Sequence, residues 1–130
     1  MTVPYLEALD GLLGLGLLGF SRDFRELQTA FVCATQQDDG GFRGRQGTSD
    51  TYYTDFALRV LSALPQDDAE GSASPGHALD RAAASLKSTP PPRDAVQCFS
   101  FLNSVRILDK AGLGVPLQVQ MIAATLEAQR

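Results

Sequence analysis

Residues 31–64 read FVCATQQDDGGFRGRQGTSDTYYTDFALRVLSAL, a glycine-rich loop between two segments with helical periodicity. In the first segment apolar side chains recur every three or four residues, which predicts a helix over residues 23–37 that packs through one face. That face consists of Phe24, Leu27, Phe31 and Ala34. Asp23 and Glu26 form a capping pair at its start. The pair Gly40-Gly41 ends it, because glycine readily adopts the turn conformations that stop helices.

The second segment predicts a helix over residues 51–64, with Ser49 or Asp50 as its N-cap. Between the helices, Phe42 follows two glycines and is expected to fold back as an apolar plug. Gln36 or Gln37 is expected to bond free backbone groups at the helix end. In this interpretation the loop is a structural clamp that joins two helices.

The flanking sequence continues the same pattern. Helices are predicted over residues 5–18, 76–87, 94–110 and from Pro116 to the C-terminus, with a polar linker over 65–76. Ser74, followed by Pro75, is the expected cap of the second of these helices, and Asp94 of the third. Equivalent helix ends recur about every 46 residues, which is typical of helical repeat arrays. The sequence therefore predicts an all-α fold of antiparallel helical hairpins.

Composition excludes several classes of protein. The chain has 130 residues and a net charge of −4, so default affinity for nucleic acid is not expected. Two cysteines are too few for a disulfide scaffold, and Cys33, Cys98 and His77 lack the spacing of a zinc site. Both cysteines are expected to be buried thiols, and His77 an exposed residue of the linker.

No membrane span is predicted, because the apolar stretch from Gly11 to Phe20 covers ten residues and a span needs about 20. The N-terminus lacks the basic segment of a secretory signal. A cytoplasmic location is the expectation.

The loop and its flanks carry an ordered set of residues: Gln36 or Gln37, Asp39-Gly40-Gly41-Phe42, Gly44-Arg45, Asp50 and Tyr52-Tyr53. This set resembles the repeat shared by protein prenyltransferase β subunits and the squalene and oxidosqualene cyclases. The resemblance covers about a quarter of the chain well. It implies that residues 1–130 form a single domain, an arc of an α/α toroid with about two and a half repeats of a longer ring.

The resemblance also implies site residues. Gly44-Arg45 corresponds to the Gly-Arg that contributes to diphosphate binding, with Arg43 beside it. The isoprenoid pocket would be lined by Tyr52, Tyr53, Phe56 and Phe42. Asp50 corresponds to the zinc aspartate, but Tyr52 stands where the zinc cysteine belongs, and a phenol is a poor zinc ligand. No cofactor is therefore expected, and zinc would require ligands supplied elsewhere.

Several site residues also have a purely structural interpretation. Arg45 would pair with Asp50 or Asp55 or cap a backbone carbonyl. The tyrosines would pack as ordinary helix residues with one hydroxyl in contact with water. Phe99 and Phe101 would either face the same cavity or belong to the core.

Two classes of function follow from these observations. The first is a prenyltransferase β-subunit-like protein (a farnesyl or geranylgeranyl transferase relative) that binds an isoprenoid diphosphate, with transferase activity in a larger assembly. The second is a non-catalytic helical interaction module that associates with a protein partner or itself through open repeat ends. A terpenoid-cyclase-like fragment is a further alternative, although the Asp-x-Asp-Asp motif of cyclases is missing.

Overall fold

The computed structural model describes residues 4–65, 74–115 and 119–128. These residues form helices α1 (Pro4–Leu18), α2 (Arg22–Cys33), α3 (Thr51–Ala63), α4 (Pro75–Lys87), α5 (Ala95–Lys110) and α6 (Val119–Ala128). Within them the only β-type pairing is one bridge between Gln36 and Phe42. The predicted all-α class is confirmed.

Each helix packs against a helix that is adjacent to it in the sequence, against the helix two positions away, or against both. The most extensive contact joins α3 and α5, and α1 also packs on α3. Helix α4 packs on α3 and α5, α2 on α3 and α4, and α6 on α5. This pattern is typical of stacked helical hairpins. The predicted curvature into a toroid arc stays a prediction.

The core lies between α3, α4 and α5. Its fully buried or nearly buried side chains are mainly leucines and alanines of α3 and α4, with larger residues from α5 and the loop. They include Leu58, Leu61, Leu64, Leu79, Ala82, Leu86, Cys98, Phe101, Ile107, Leu108 and Phe42.

The predicted N-caps of the central helices are confirmed. The side-chain oxygens of Asp50, Ser74 and Asp94 accept hydrogen bonds from backbone amides in the first turns of α3, α4 and α5. Each cap satisfies an amide that has no partner inside its own helix.

The prediction for α2 is wrong at both ends. Its N-cap is Ser21, whose Oγ accepts from the Phe24 amide at 3.2 Å, and not the Asp23–Glu26 pair. The helix ends at Cys33 rather than at residue 37. The Arg43 amide donates to the Thr35 carbonyl at 3.1 Å and the Gln37 amide donates to the Gly41 carbonyl at 2.8 Å. Both bonds require residues 35–37 to leave the helix.

The predicted packing face of α2 is also wrong. Phe24, Leu27 and Phe31 are 39%, 68% and 71% exposed, and Ala34 is exposed too. The opposite side faces the protein, through Thr29, which is buried, and through partly buried Val32 and Cys33. Thr29 can be buried because its hydroxyl donates to the Arg25 carbonyl at 2.9 Å.

Three smaller expectations are confirmed in part. His77 is exposed as predicted, but it lies in the first turn of α4 and not in the linker. Cys98 is buried, whereas Cys33 is only partly buried. Phe101 belongs to the core and Phe99 is 53% exposed.

The linker predicted over 65–76 and the helix predicted from Pro116 to the C-terminus fall partly outside the described residues. In the described part, Pro75 and Gly76 already belong to α4 and not to the linker. In the described ranges no helix has the length and hydrophobicity that crossing a bilayer requires.

Candidate functional site

The loop between α2 and α3 is held against α4 by Gln36 and Arg81. Gln36 Nε2 donates to the Gly40 carbonyl and to the Ala78 carbonyl, each at 2.9 Å. Arg81 donates from Nη1 to Gln36 Oε1 at 3.2 Å and from Nη2 to the Gln37 carbonyl at 2.7 Å. Gln37 makes the expected kind of bond just after the end of α2, since its Nε2 donates to the Thr35 carbonyl at 3.0 Å. Gln36 instead joins the loop to α4, the first helix of the next hairpin.

Gly40 lies where the backbone of the loop packs against α4. Its φ is +91°, and a Cβ at this position would lie 2.2 Å from the Arg81 carbonyl oxygen. Both the backbone conformation and the space therefore require glycine. Arg81 was not singled out from the sequence, because a single arginine on a helix gives no signal of a contact 44 residues away.

Phe42 is the predicted plug, with its side chain fully buried in the core. Its amide donates to Thr54 Oγ1 at 3.0 Å, and its carbonyl accepts from the Asp50 amide at 2.9 Å. These bonds fix the loop to the first turn of α3. Phe42 thus belongs to the core and not to the exposed aromatic residues of α3.

Tyr52, Tyr53 and Phe56 form an aromatic surface on the first turns of α3. Each is 43–45% exposed. The Tyr52 ring contacts the other two edge to face, with centroids 5.5 Å and 4.8 Å apart. The Arg59 guanidinium lies 5.7 Å from the Phe56 centroid. The three rings therefore contact one another and form one exposed aromatic surface.

The backbone of Gly44 joins the loop to this aromatic surface. A Cβ on Gly44 would lie 2.6 Å from the Tyr53 ring, so the ring rests directly on the glycine. Arg45 follows immediately, and its guanidinium is exposed and forms no ion pair with the residues that the structure describes. The structural interpretation, in which Arg45 pairs with Asp50 or Asp55, is therefore wrong.

Arg43 has a different role from Arg45. Its Nη1 donates to the carbonyls of Gly44 and Arg45, at 3.0 Å and 3.1 Å. The guanidinium of Arg43 therefore stabilises the loop that presents Arg45. The loop segment that carries Arg43 and Arg45 thus lies against the start of α3 through the contact of Gly44 with Tyr53.

Asp50 does not fit a zinc site with its neighbours. Its Oδ1 caps α3 by accepting from the Tyr52 amide at 2.7 Å. Across residues 4–65, 74–115 and 119–128, no three His, Cys, Asp or Glu side chains come together as a metal site requires. The described residues therefore do not provide the zinc-binding set that the family resemblance implies.

A buried polar network connects α1, α3 and α5, and it was missed from the sequence. Asp55, only 3% exposed, accepts from Asn103 Nδ2 and from Arg59 Nη2, the latter at 3.2 Å. Asn103 Oδ1 accepts from Arg106 Nε at 2.9 Å, and Arg106 Nη1 lies 3.0 Å from Asp10 Oδ2. The only sequence signal was an asparagine within the apolar pattern of α5.

Burial is the main influence on the Asp55 carboxyl and raises its pKa above the ordinary value. The hydrogen bond from Asn103 and the charges of Arg59 and Arg106 act in the opposite direction. The network contains two acids and two arginines, so its formal charges cancel. Both carboxylate oxygens of Asp55 accept hydrogen bonds, and the network joins three helices.

Compared with models of known protein families, with curated proteins and with solved structures, the chain gives no significant match. The prenyltransferase resemblance stays a prediction that rests on the residues of the loop and α3.

Proposed function

We propose that this chain is a prenyltransferase β-subunit-like repeat protein that binds an isoprenoid diphosphate at the start of α3. Arg45 contacts the diphosphate, and Tyr52, Tyr53 and Phe56 contact the isoprenoid tail. The observation that carries the proposal is the packing of the Tyr53 ring on Gly44. This contact connects the loop that carries the exposed guanidinium of Arg45 to an exposed aromatic surface. An isoprenoid diphosphate needs a cation for its diphosphate and an apolar surface for its tail.

The chemistry of the two parts supports this class of ligand. A guanidinium donates paired hydrogen bonds that match the oxygen geometry of a phosphate. Burial of exposed aromatic rings under an apolar chain is favourable, because it removes apolar surface from water. Arg43 acts indirectly, because its donors to the loop carbonyls orient the backbone that carries Arg45.

The proposed role is binding, with transfer chemistry belonging to a larger assembly. The zinc that activates the acceptor thiol in protein prenyltransferases would need ligands beyond Asp50, whose carboxylate already caps α3. The curvature of the repeat into a toroid arc is part of the same proposal.

Calorimetric titrations with farnesyl diphosphate, farnesol and inorganic pyrophosphate test the proposal. We expect farnesyl diphosphate to bind most tightly, since only it engages both parts of the site. Arg45→Ala should weaken its binding about 10- to 100-fold, the loss of a charge-assisted contact worth about 1.5–3 kcal/mol. Farnesol binding should be unchanged.

Lys87→Ala is the matched control, because it removes one exposed positive charge at the end of α4. It should leave all three affinities unchanged. Equal affinity of wild type and Arg45→Ala for farnesyl diphosphate would remove Arg45 from the site. No measurable binding of this ligand by the wild type would refute the proposed function.

A second candidate function, a helical interaction module that self-associates, is favoured by the exposed apolar face of α2. Phe20, Phe24, Leu27 and Phe31 form this α2 stripe, and the first two rings stack at 4.6 Å. Scattered exposed apolar residues are normal, but a continuous stripe is typical of an interaction surface.

Sedimentation velocity over a range of concentrations tests this second candidate. We expect the wild type to form dimers as concentration rises and Leu27→Glu to remain monomeric. Leu126→Glu changes another exposed leucine, on α6, and should dimerise like the wild type. Wild-type protein that is monomeric at every concentration would contradict self-association.

A further inference from the structure

A cavity of about 550 Å³ lies among α1, α3, α4 and α5, away from the aromatic surface. Its wall from α3 consists of Ser62 and Ala63, at the C-terminal end of that helix. Residues 52 and 63 are separated by about 16 Å along the helix axis, at 1.5 Å per residue. The cavity is therefore a separate site, and an inference about it does not depend on the proposed function.

The walls of the cavity are mainly apolar and small. Leu79 and Ile107 contribute core side chains, and Gly11, Gly14, Ala63 and Leu113 complete the apolar part. A volume of a few hundred cubic ångströms with mostly apolar walls is typical of sites for small organic ligands.

The charged groups around the cavity balance. Asp10 lines it and is paired with Arg106, whose Nη1 lies 3.0 Å from the carboxylate. The remaining charged lining residues, Asp80 and Lys110, have opposite signs. With no net charge to neutralise, the cavity favours an uncharged ligand over an ion.

Gly11 widens the cavity from the side of α1. A Cβ at this position would meet nothing within 4 Å, and positive φ occurs at other glycines but not here. Neither close packing nor backbone conformation therefore requires glycine at position 11. Glycine also lowers the stability of a helix interior, so it has no local structural advantage here. Its effect on the described structure is to leave open space next to the apolar walls.

We propose that this cavity binds an uncharged, apolar small molecule, with Gly11 and Ala63 both in its wall. The binding probe is N-phenyl-1-naphthylamine, an uncharged dye whose fluorescence rises in apolar surroundings. The chain has no tryptophan to interfere with its emission. Saturable binding with one dye per chain is expected.

Gly11→Leu should fill the cavity and weaken dye binding at least 10-fold. Gly16→Leu is the matched control, because Gly16 lies on the same helix, also has open space around it and does not line the cavity. It should bind dye like the wild type. Since leucine favours helix more than glycine does, both variants should keep the helical circular dichroism of the wild type.

Ala63→Phe changes the wall contributed by α3 and should weaken dye binding as Gly11→Leu does. The same dye affinity in Gly11→Leu, Gly16→Leu and the wild type would overturn the proposal, as would the absence of saturable binding. Loss of binding in Phe56→Ser or Leu27→Glu, with normal binding in Gly11→Leu, would place the dye on the aromatic surface or the α2 stripe and would equally overturn it. Failure of farnesyl diphosphate to bind has no bearing on this result.

Discussion

Asn103 on α5 donates a hydrogen bond to the buried carboxylate of Asp55 on α3. The two helices form the most extensive contact in the described structure. The same asparagine accepts from Arg106, which is paired in turn with Asp10 on α1. One amide therefore joins the polar groups of three helices.

Replacing this amide should destabilise the fold. Asn103→Leu keeps the approximate size of the side chain but removes a hydrogen-bond donor from a buried carboxylate, which costs about 1–3 kcal/mol. Chemical denaturation of Asn103→Leu, Asp55→Leu and the double variant measures the coupling. We expect the double variant to lose less than the sum of the single losses. Losses that add within about 0.5 kcal/mol would mean that the two side chains are not coupled.

The free energy of unfolding should depend on pH, in part because of Asp55. Because burial raises the pKa of Asp55 in the folded state, the folded protein holds this proton more tightly than the unfolded chain. The free energy of unfolding should therefore fall as pH rises from about 3.9, the ordinary aspartate pKa, through the raised folded pKa. Below that window the contribution is fully present.

Urea denaturation at a series of pH values measures this contribution. Asp55→Asn should lack it, so its free energy of unfolding should fall less with rising pH across the window. Asp109→Asn, an exposed position on α5, should behave like the wild type. Parallel pH profiles for wild type and Asp55→Asn would show that the folded and unfolded pKa values are equal.

Variants of two glycines in the loop can distinguish the effect of backbone strain from the effect of close packing. Gly40 and Gly47 have φ of +91° and +98°, but only at Gly40 does a Cβ meet another atom, the Arg81 carbonyl oxygen. Gly47→Ala should cost about 1–2 kcal/mol, the penalty of a left-handed conformation. Gly40→Ala should cost clearly more, because α4 must also move. Thermal unfolding of both variants tests this, and equal losses would mean that the loop does not lie against α4.

The two thiols should differ in reactivity. Cys98 is 1% exposed and Cys33 is partly buried, and burial raises the pKa of both thiols. Since the thiolate is the reactive form, both should alkylate slowly in the native protein at pH 7, and Cys98 more slowly than Cys33. Mass spectrometry after timed iodoacetamide treatment, with and without urea, gives the rates. Native Cys98 that reacts as fast as in urea would contradict its position in the core.

Local signals in the sequence were sufficient for the helices and for most caps. Asp50, Ser74 and Asp94 could be identified because a cap acts on an amide two or three residues away. Phe42 could be identified as a plug because it is a large apolar residue in a glycine-rich loop. The two preceding glycines let the chain turn so that this side chain is buried between the helix ends.

Long-range relationships could not be predicted from the same signals. The apolar periodicity of α2 predicts that one face is covered, but it does not say by which residues, and in the described structure Leu27 and Phe31 remain exposed. The bonds of Gln36 to Ala78 and of Asp55 to Asn103 join residues more than 40 positions apart. For the candidate site, the residue types were predicted, whereas the contact between Gly44 and Tyr53 became evident only in three dimensions.

Nuclear magnetic resonance of ¹⁵N-labelled protein titrated with farnesyl diphosphate tests the proposed binding site most directly. We expect saturable chemical-shift changes of the backbone amides of Gly44, Arg45, Tyr52 and Tyr53, with little change in α4 and α6. Absence of shifts at these four amides, or changes centred on another part of the protein, would contradict the account.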